Sequence, residues 1–550
     1  NTTGAANTAL GSESLVANTT GTRNTAVGYQ ALNANTTADD NTAIGRQTLL
    51  YNTTGHSNTA LGKSAMTSNS TGNHNTSVGY NCLLSNTTGA ENTAVGSQAL
   101  DANTTTDGHT AIGYQALTAN TTGTLNTAVG RSALAVNTTG YKNVAIGAYT
   151  LDANTTGSAN IAVGYDTMSA NTTGDDNVAM GYQALDDNTT GDSNTAIGHK
   201  ALTGNTTADL NVAVGRYAMG VNSTGSNNVA VGAFALDANT TANENTAVGY
   251  IALTTNTIGT GNAAFGSNAL RYNETGSYNT AIGYIALQDL TTGDYNTAVG
   301  MYAGKDITTG DKNTAIGTDA LRTATTGNHN VAVGVNALYA CTTAGDNVAV
   351  GTDAGKAITT GNTSVFIGYQ AGDTATTGTG NVCLGENAGS GQITTEGEKL
   401  YIAHSNTAAG NIATWIHGDG NGRCYMGNNQ TTWFTTSDRR LKKNITDNTK
   451  GLAEINQLRV TNFEYRSRDE IDMSEFPLAN DPGQVVLGEG NEGVHTGVIA
   501  QEIESVLPEC IEVSDKGAKT VNADPITWAM VNAIKELSAQ NEALVARITA

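Results

Sequence analysis

Proline is nearly missing from this chain, four residues in 550, and charged side chains make up only 13% of it. Aromatic residues are scarce as well, at 5%, whereas glycine supplies 65 residues. So little proline argues against a disordered low-complexity tract, and so little charge argues against an ordinary globular surface. With glycine this abundant, the composition points to a repeated backbone. Basic residues are short: 26 Lys and Arg stand against 48 Asp and Glu, giving a net charge of −22 and a pI near 4.6. Nucleic acid and anionic membrane surfaces both need basic stripes, so neither is expected as a partner. No run of about 18 apolar residues occurs, so membrane insertion is not expected either.

Cysteines are few and isolated. Cys82, Cys341, Cys383, Cys424 and Cys510 form no CxxC pair and no even framework. They read as small buried apolar residues, and no metal, disulfide or cofactor is expected. Acidic turns such as Asp175–Asp176 could be asked to hold Ca²⁺, but they lack a recognised loop pattern. The chain opens inside a repeat, NTTGAANTALG, so an attachment region is expected upstream.

What the chain does contain is a period. An Asn-Thr-Ala-Val-Gly motif returns every 17 residues, with its glycine at Gly11, Gly28, Gly45, Gly62 and onward to Gly368 and Gly385, 23 copies without an insertion. An apolar residue precedes each motif glycine (Leu10, Val27, Ile44, Ile367, Leu384), and a second apolar position follows four residues after it (Leu15, Leu32, Leu49, Met66, Leu83). Seventeen residues are too few for a helical hairpin. Two short strands separated by Gly and Asn-Thr-Thr-Gly turns fit better, so each repeat is predicted to form one coil of a β-solenoid. Stacking would then set Val on Val and Leu on Leu in the core, about 4.8 Å apart, and the constant length keeps both ladders in step.

The motif asparagine is replaced only by His109 and Ser364. Stacked amides explain it, and turn chemistry explains the NTT sequences that also match a glycosylation acceptor. After the motif glycine stand Tyr29, Tyr80, Tyr114, Tyr165, Tyr182, Tyr250, Tyr284 and Tyr369, alternating with Arg46, Lys63, Arg131, His199 and Arg216. This stripe reads as a solvated face, with aromatic stacking on sugars as the alternative. Ice binding is weighed lower, because the Thr pairs are adjacent in the turn instead of alternating on one strand face. From Ala303 the second apolar site changes to Gly304, Gly355, Gly372 and Gly389, where a change of cross-section is expected. The repeated NTAVGYQAL and NTAIG segments resemble the heads of trimeric autotransporter adhesins and the shafts of phage tail fibres. That resemblance implies a homotrimer whose small apolar ladder faces a shared axis. A chain coiling on itself would give a shaft of about 110 Å, and three interwound chains roughly three times that.

Beyond the repeats, residues 391–436 alternate apolar and polar positions as short hairpins do, a cap or neck with a receptor-binding tip as its rival. At Ser437 the composition turns abruptly charged. The blocks SDRRLKKNI, INQLRVTNFEYR and HTGVIAQEIESVLPECIEV resemble the intramolecular chaperone of endosialidase tail spikes, a domain shared by other phage fibres and by myelin regulatory factor. The resemblance implies a domain, 437–550, that trimerises the fibre and then cuts itself off. By position Ser437 would be the nucleophile, Lys442 its base and Thr436–Ser437 the cleaved bond, with Lys443 as the alternative base. Such a lysine works only if burial or neighbouring cations lower its pKa. Asp438, Gln501 and Glu502 are candidate supporting residues, and Gly497 reads as a turn glycine. The stretch 523–550 places Met530, Ile534, Leu537, Asn541, Leu544 and Ile548 at heptad spacing, a short parallel coiled coil.

The expected chain is therefore mainly β: a 17-residue-repeat solenoid over 1–390, a β-rich neck, and a small α+β chaperone with a C-terminal helix. As a homotrimeric phage tail fibre in the virion it would attach to a host receptor, with a glycan as the expected ligand. A bacterial surface adhesin carrying the same chaperone, and a glycan-binding or ice-binding solenoid, are the alternatives. One self-cleavage is the sole catalysis expected, because no rung offers a distinctive carboxylate pair for a glycan hydrolase.

Overall fold

The computed structural model describes residues 2–405, 412–418, 424–426, 445–467, 470–476, 494–513 and 518–549. The chain divides into two compact units, Asn1–Trp433 and Phe434–Ala550.

The first unit is a β-solenoid in which each chain coils on itself. Its 23 rungs each contribute one three-residue strand, from β1 (Thr8–Leu10) and β2 (Thr25–Val27) to β23 (Val382–Leu384). Neighbouring strands pair in parallel with a constant offset, Thr25 with Thr42, Ala26 with Ala43 and Val27 with Ile44. The expectation of two strands per rung is corrected by this structure. After the motif glycine the chain does not extend again, because Gln30 and Leu32 both adopt left-handed backbone, φ 57° and 53°. Left-handed leucine is disfavoured by roughly 1 to 2 kcal/mol. Cross-rung hydrogen bonds offset the cost: Gln30 N–H donates back to the Ser12 carbonyl and Leu32 N–H donates forward to that of Thr48, both at 3.0 Å.

A second correction concerns which residues are inside. In each Thr-Ala-Val strand the middle alanine points inward and is fully buried, as at Ala26, Ala43 and Ala60. Its neighbours therefore face solvent, since side chains alternate along a strand. The expected Val-on-Val ladder exists, but on the outer surface. The Leu-on-Leu ladder is inside as expected, with Leu32, Leu49, Met66 and Leu83 fully buried beside a second small column of Ala31, Ala65 and Cys82.

Small residues are needed because the backbone closes tightly. At Gly28 φ is 131°, and a Cβ added there would lie 2.5 Å from the Gly45 carbonyl oxygen. Two asparagine ladders line the same interior. In the motif ladder the Asn24 side-chain oxygen accepts from the Asn41 N–H at 3.0 Å, while its amide donates to the Ala38 carbonyl at 2.8 Å. In the turn ladder Asn35 Nδ2 donates to Asn18 Oδ1 at 2.8 Å, and this continues to Asn273 donating to Asn256 at 3.0 Å. There it stops, because the next rung carries Leu290, and Asn273 Oδ1 is left buried without a partner.

The change from leucine to glycine does not break the shaft. Strands keep their register through β22 (Val365–Ile367) and β23, and Gly304, Gly355 and Gly372 hold the same left-handed backbone, φ 57° to 59°. The vacated volume is refilled from other columns. Ile307 and Ile358 stand where earlier rungs carry the turn asparagine, and Phe366 replaces an inward alanine. A Cβ at Gly372 would meet the Phe366 ring directly. Past β23 the sheet continues into β24 (Leu400–Ser405), which pairs antiparallel with β25 (Ile412–Gly418), itself antiparallel to β26 (Cys424–Met426).

The second unit is small and mixed. It contains α1 (Leu452–Ile455), β27 (Thr461–Phe463), β28 (His495–Gly497), α2 (Ala500–Glu504), β29 (Ile511–Val513), β30 (Lys519–Val521) and α3 (Ala523–Thr549). Strands β27 and β28 form one antiparallel pair, and β29 and β30 another. A compact core of Ile503, Leu507 and Cys510 is packed by Leu458, Val498 and Ile526. The segment before α1 is tied to the long helix, where Asn532 Nδ2 donates to the carbonyls of Asn448 and Lys450, both at 2.9 Å. Glu536 in turn accepts from the Leu452 N–H at 3.0 Å.

Candidate functional site

Of the residues proposed for self-cleavage, Thr436, Ser437, Asp438, Lys442 and Lys443 lie outside the described residues. Gln501 and Glu502 lie inside them, on the first turn of α2, held by the core contact of Ile503 one position further on. Arg459 reaches Glu502 from the residue pair preceding β27, with its Nε and Nη2 donating to the two carboxylate oxygens. That guanidinium holds the Glu502 carboxyl below the ordinary range, so it is ionised at neutral pH. An ionised, paired carboxylate is an anchor between two sequence blocks and a poor proton donor. The pair is exposed and contributes little to stability.

Gln501 lines a cleft of about 580 Å³ together with Phe463, Tyr465, Val498 and Lys519. Phe463 and Tyr465 meet edge to face at 5.3 Å, and the His495 ring lies 5.1 Å from Tyr465. Gly497, at the end of β28, faces the Phe463 ring, which a Cβ there would approach to 3.2 Å. Its role is thus close packing. Arg459, Phe463 and His495 were not singled out from sequence, although each stands in or beside a block that was. Their alternation on a three-residue strand was too short to read.

Helix α3 exposes the seam that the heptad spacing defines. Met530, Ile534, Leu537, Leu544 and Ile548 are all exposed, Ile548 at 75%, while Ala529 and Ala533 beside the seam are buried within the unit. An exposed apolar stripe on a 27-residue helix is the kind of surface that partner helices cover.

On the shaft, part of the aromatic stripe is paired with its neighbours, while Tyr29, Tyr114, Tyr250 and Tyr369 are exposed. Tyr165 and Tyr182 stack at 5.8 Å, Tyr182 and His199 at 5.3 Å, and Tyr217 and Phe234 at 5.5 Å. Rings stacked along the shaft spend their faces on one another, and Arg131 and Lys63 cover those of Tyr149 and Tyr80. Faces used in this way are not open to a sugar ring. The glycosylation-like NTT asparagines are equally closed, with Asn35, Asn52 and Asn86 fully buried in their ladder. Asp175 is a turn acceptor: it takes the Ser158 N–H at 2.6 Å. Cys82, Cys341, Cys383 and Cys510 are free and buried, and burial raises the Cys341 and Cys383 thiols to about 12, which makes them unreactive packing residues.

Residues 437–512 match the family described as the chaperone of endosialidase. No curated protein and no solved structure shows significant similarity to the chain.

Proposed function

We propose that this chain is the shaft of a homotrimeric phage tail fibre used for attachment to a host surface, assembled by its C-terminal domain and then cut free of it. The observation that carries the reading is the match of residues 437–512 to an endosialidase-type chaperone, which follows a 23-rung solenoid in the chain. A domain of that kind answers a physical need of the shaft. Parallel stacking gains nothing until the first rungs close, and half-stacked rungs expose sheet edges that aggregate. Three α3 seams joined as a parallel coiled coil would hold the chains together while the rungs form.

In the proposed cleavage, the Lys442 amine takes the proton of the Ser437 hydroxyl, whose oxygen attacks the Thr436 carbonyl. The Ser437 nitrogen leaves with the proton that Lys442 returns, and the two halves stay joined by an ester between the Thr436 carbonyl carbon and the Ser437 oxygen. Water hydrolyses that ester to a Thr436 carboxylate and a free Ser437 hydroxyl. Arg439, Arg440 and Lys443 supply neighbouring positive charge that would favour a neutral lysine. The test is the mass of the expressed chain beside that of Ser437→Ala. Wild type should yield two fragments divided before Ser437, the variant should stay whole, and both should sediment as trimers. Intact wild-type chain would reject the cleavage, and a monomeric shaft would reject the fibre.

A further inference from the structure

The outward face of the strands has a composition that water alone does not explain. Across β1–β23 the first strand position is always Thr, Val, Ile or Ala, and the third is always Leu, Val, Ile, Met or Phe. Neither column contains a single charged residue. The third position is nevertheless half-buried or exposed throughout, with Ile44, Ile146, Met180, Phe265, Ile316 and Ile367 all exposed. Other outward columns behave as solvated surfaces do: the position after the glycine carries Arg46, Lys63 and Arg131, and that five after it carries Asp101, Asp152, Arg271 and Arg322. A sheet face that stays in water normally turns polar, and this one does not.

The strip is large. Twenty-three rungs at about 4.8 Å give a length of about 110 Å, and two columns give a width near 10 Å, so each chain offers about 1,100 Å². A stable association needs about 800 Å² per partner. Its uniformity also specifies the partner. Side chains repeat once per rung, so a surface that fits every rung must have the same rung spacing, and a second copy of this chain has it. A receptor would need only a local patch, with no reason to keep charge out of all 23 rungs.

We infer that this outer Thr/Val and Val/Ile strip, and not an inner ladder, is the surface through which copies of the chain pack on one another along the whole shaft. The inference rests on the proposed parallel trimer, which sets each rung opposite the same rung of its neighbours. Val231 therefore faces Val231 and Ile316 faces Ile316 of the adjacent copies. The small alanine ladder cannot serve, because it is enclosed within each chain's own coil.

The test is cross-linking of the full chain carrying Val231→Cys or Ile316→Cys, with Thr207→Cys on an exposed turn as the comparison. Sheets pack about 10 Å apart, beyond disulfide reach, so a short bis-maleimide is the probe. Buried Cys82, Cys341, Cys383 and Cys510 do not compete, and Cys424 is replaced by Ser in every variant. Both strip variants should become linked chain to chain at dilute protein while the turn variant stays unlinked, with sedimentation giving a trimer throughout. A trimer that links through the turn variant, or through none of the three, overturns the strip and leaves the trimer standing. A monomer overturns both. Two strip positions are used so that a folding defect at one does not decide the result.

Discussion

His109 is a titratable defect in an otherwise neutral ladder, and acid should open the shaft there first. It occupies a motif-asparagine position, where its Nδ1 accepts the Asn126 N–H at 3.3 Å and its Nε2 lies 2.9 Å from the Thr106 hydroxyl. The accepting role puts the ring proton on Nε2, an assignment made from the hydrogen-bond network. Burial lowers the imidazole to about 4 from its ordinary 6.5. A folded value below the unfolded one means that the neutral form is required. Stability is then complete above pH 6.5 and is lost as the pH falls toward 4. At pH 5 the unfolded rung takes up a proton that the folded rung resists, a difference of about 2 kcal/mol, or roughly 30-fold in local opening. Protonation also sets an Nδ1–H against the Asn126 N–H. Amide hydrogen exchange of residues 92–126, corrected for intrinsic rates, should show this extra opening at pH 5 relative to pH 7, and His109→Asn should abolish it. Equal loss of protection in both proteins would refute the reasoning.

Gly232→Ala should destabilise the shaft by at least about 2 kcal/mol, from a backbone region that only glycine occupies easily. Its φ is 132° and a Cβ would lie 2.4 Å from the Gly249 carbonyl oxygen, whereas Gly391→Asn, with nothing within 4 Å, should leave the melting temperature nearly unchanged. Asn228→Ala should cost about 2 to 5 kcal/mol in local protection, because it strands two buried partners. Those partners are the Ala242 carbonyl, now 2.8 Å from its amide, and the Asn245 N–H, now 2.9 Å from its oxygen. Asn228→Ser should be milder, since Ser364 already serves the same column by accepting the Asn381 N–H at 3.1 Å. Ile534→Asp, a charge on the exposed seam of α3, should lower the yield of soluble trimer without altering the helix content; unchanged assembly would remove the seam from the account.

The repeat was legible because its demands fall on residue type. A glycine with φ near 135° against the next rung, an inward leucine and a bonded asparagine each leave a mark every 17 residues. The face of the strand was not legible. Thr-Ala-Val is only three residues, too short for alternation to declare a side, and the most apolar residue of the three turned out to be the outer one. The second strand was misread for a related reason: an apolar residue four after the glycine suits a strand, and only the left-handed turn at Gln30 and Leu32 shows that it is a corner. The substitution of Leu by Gly at 304, 355 and 372 looked like a change of section because its compensation lies in other columns. Ile307 follows Gly304 by three residues and Phe366 precedes Gly372 by six, yet each meets the space that the glycine leaves. In the C-terminal unit the seam of α3 was readable from spacing, whereas the anchoring of Glu502 by Arg459 joins residues 43 apart and needed the fold.

The central claim is that each chain closes one coil per 17 residues by itself. The length of the shaft tests it most directly, by electron microscopy of purified particles. Twenty-three self-coiled rungs predict a shaft of about 110 Å, with an axial repeat of about 4.8 Å. A shaft near three times that length would mean that the chains wind around one another, and would contradict the account.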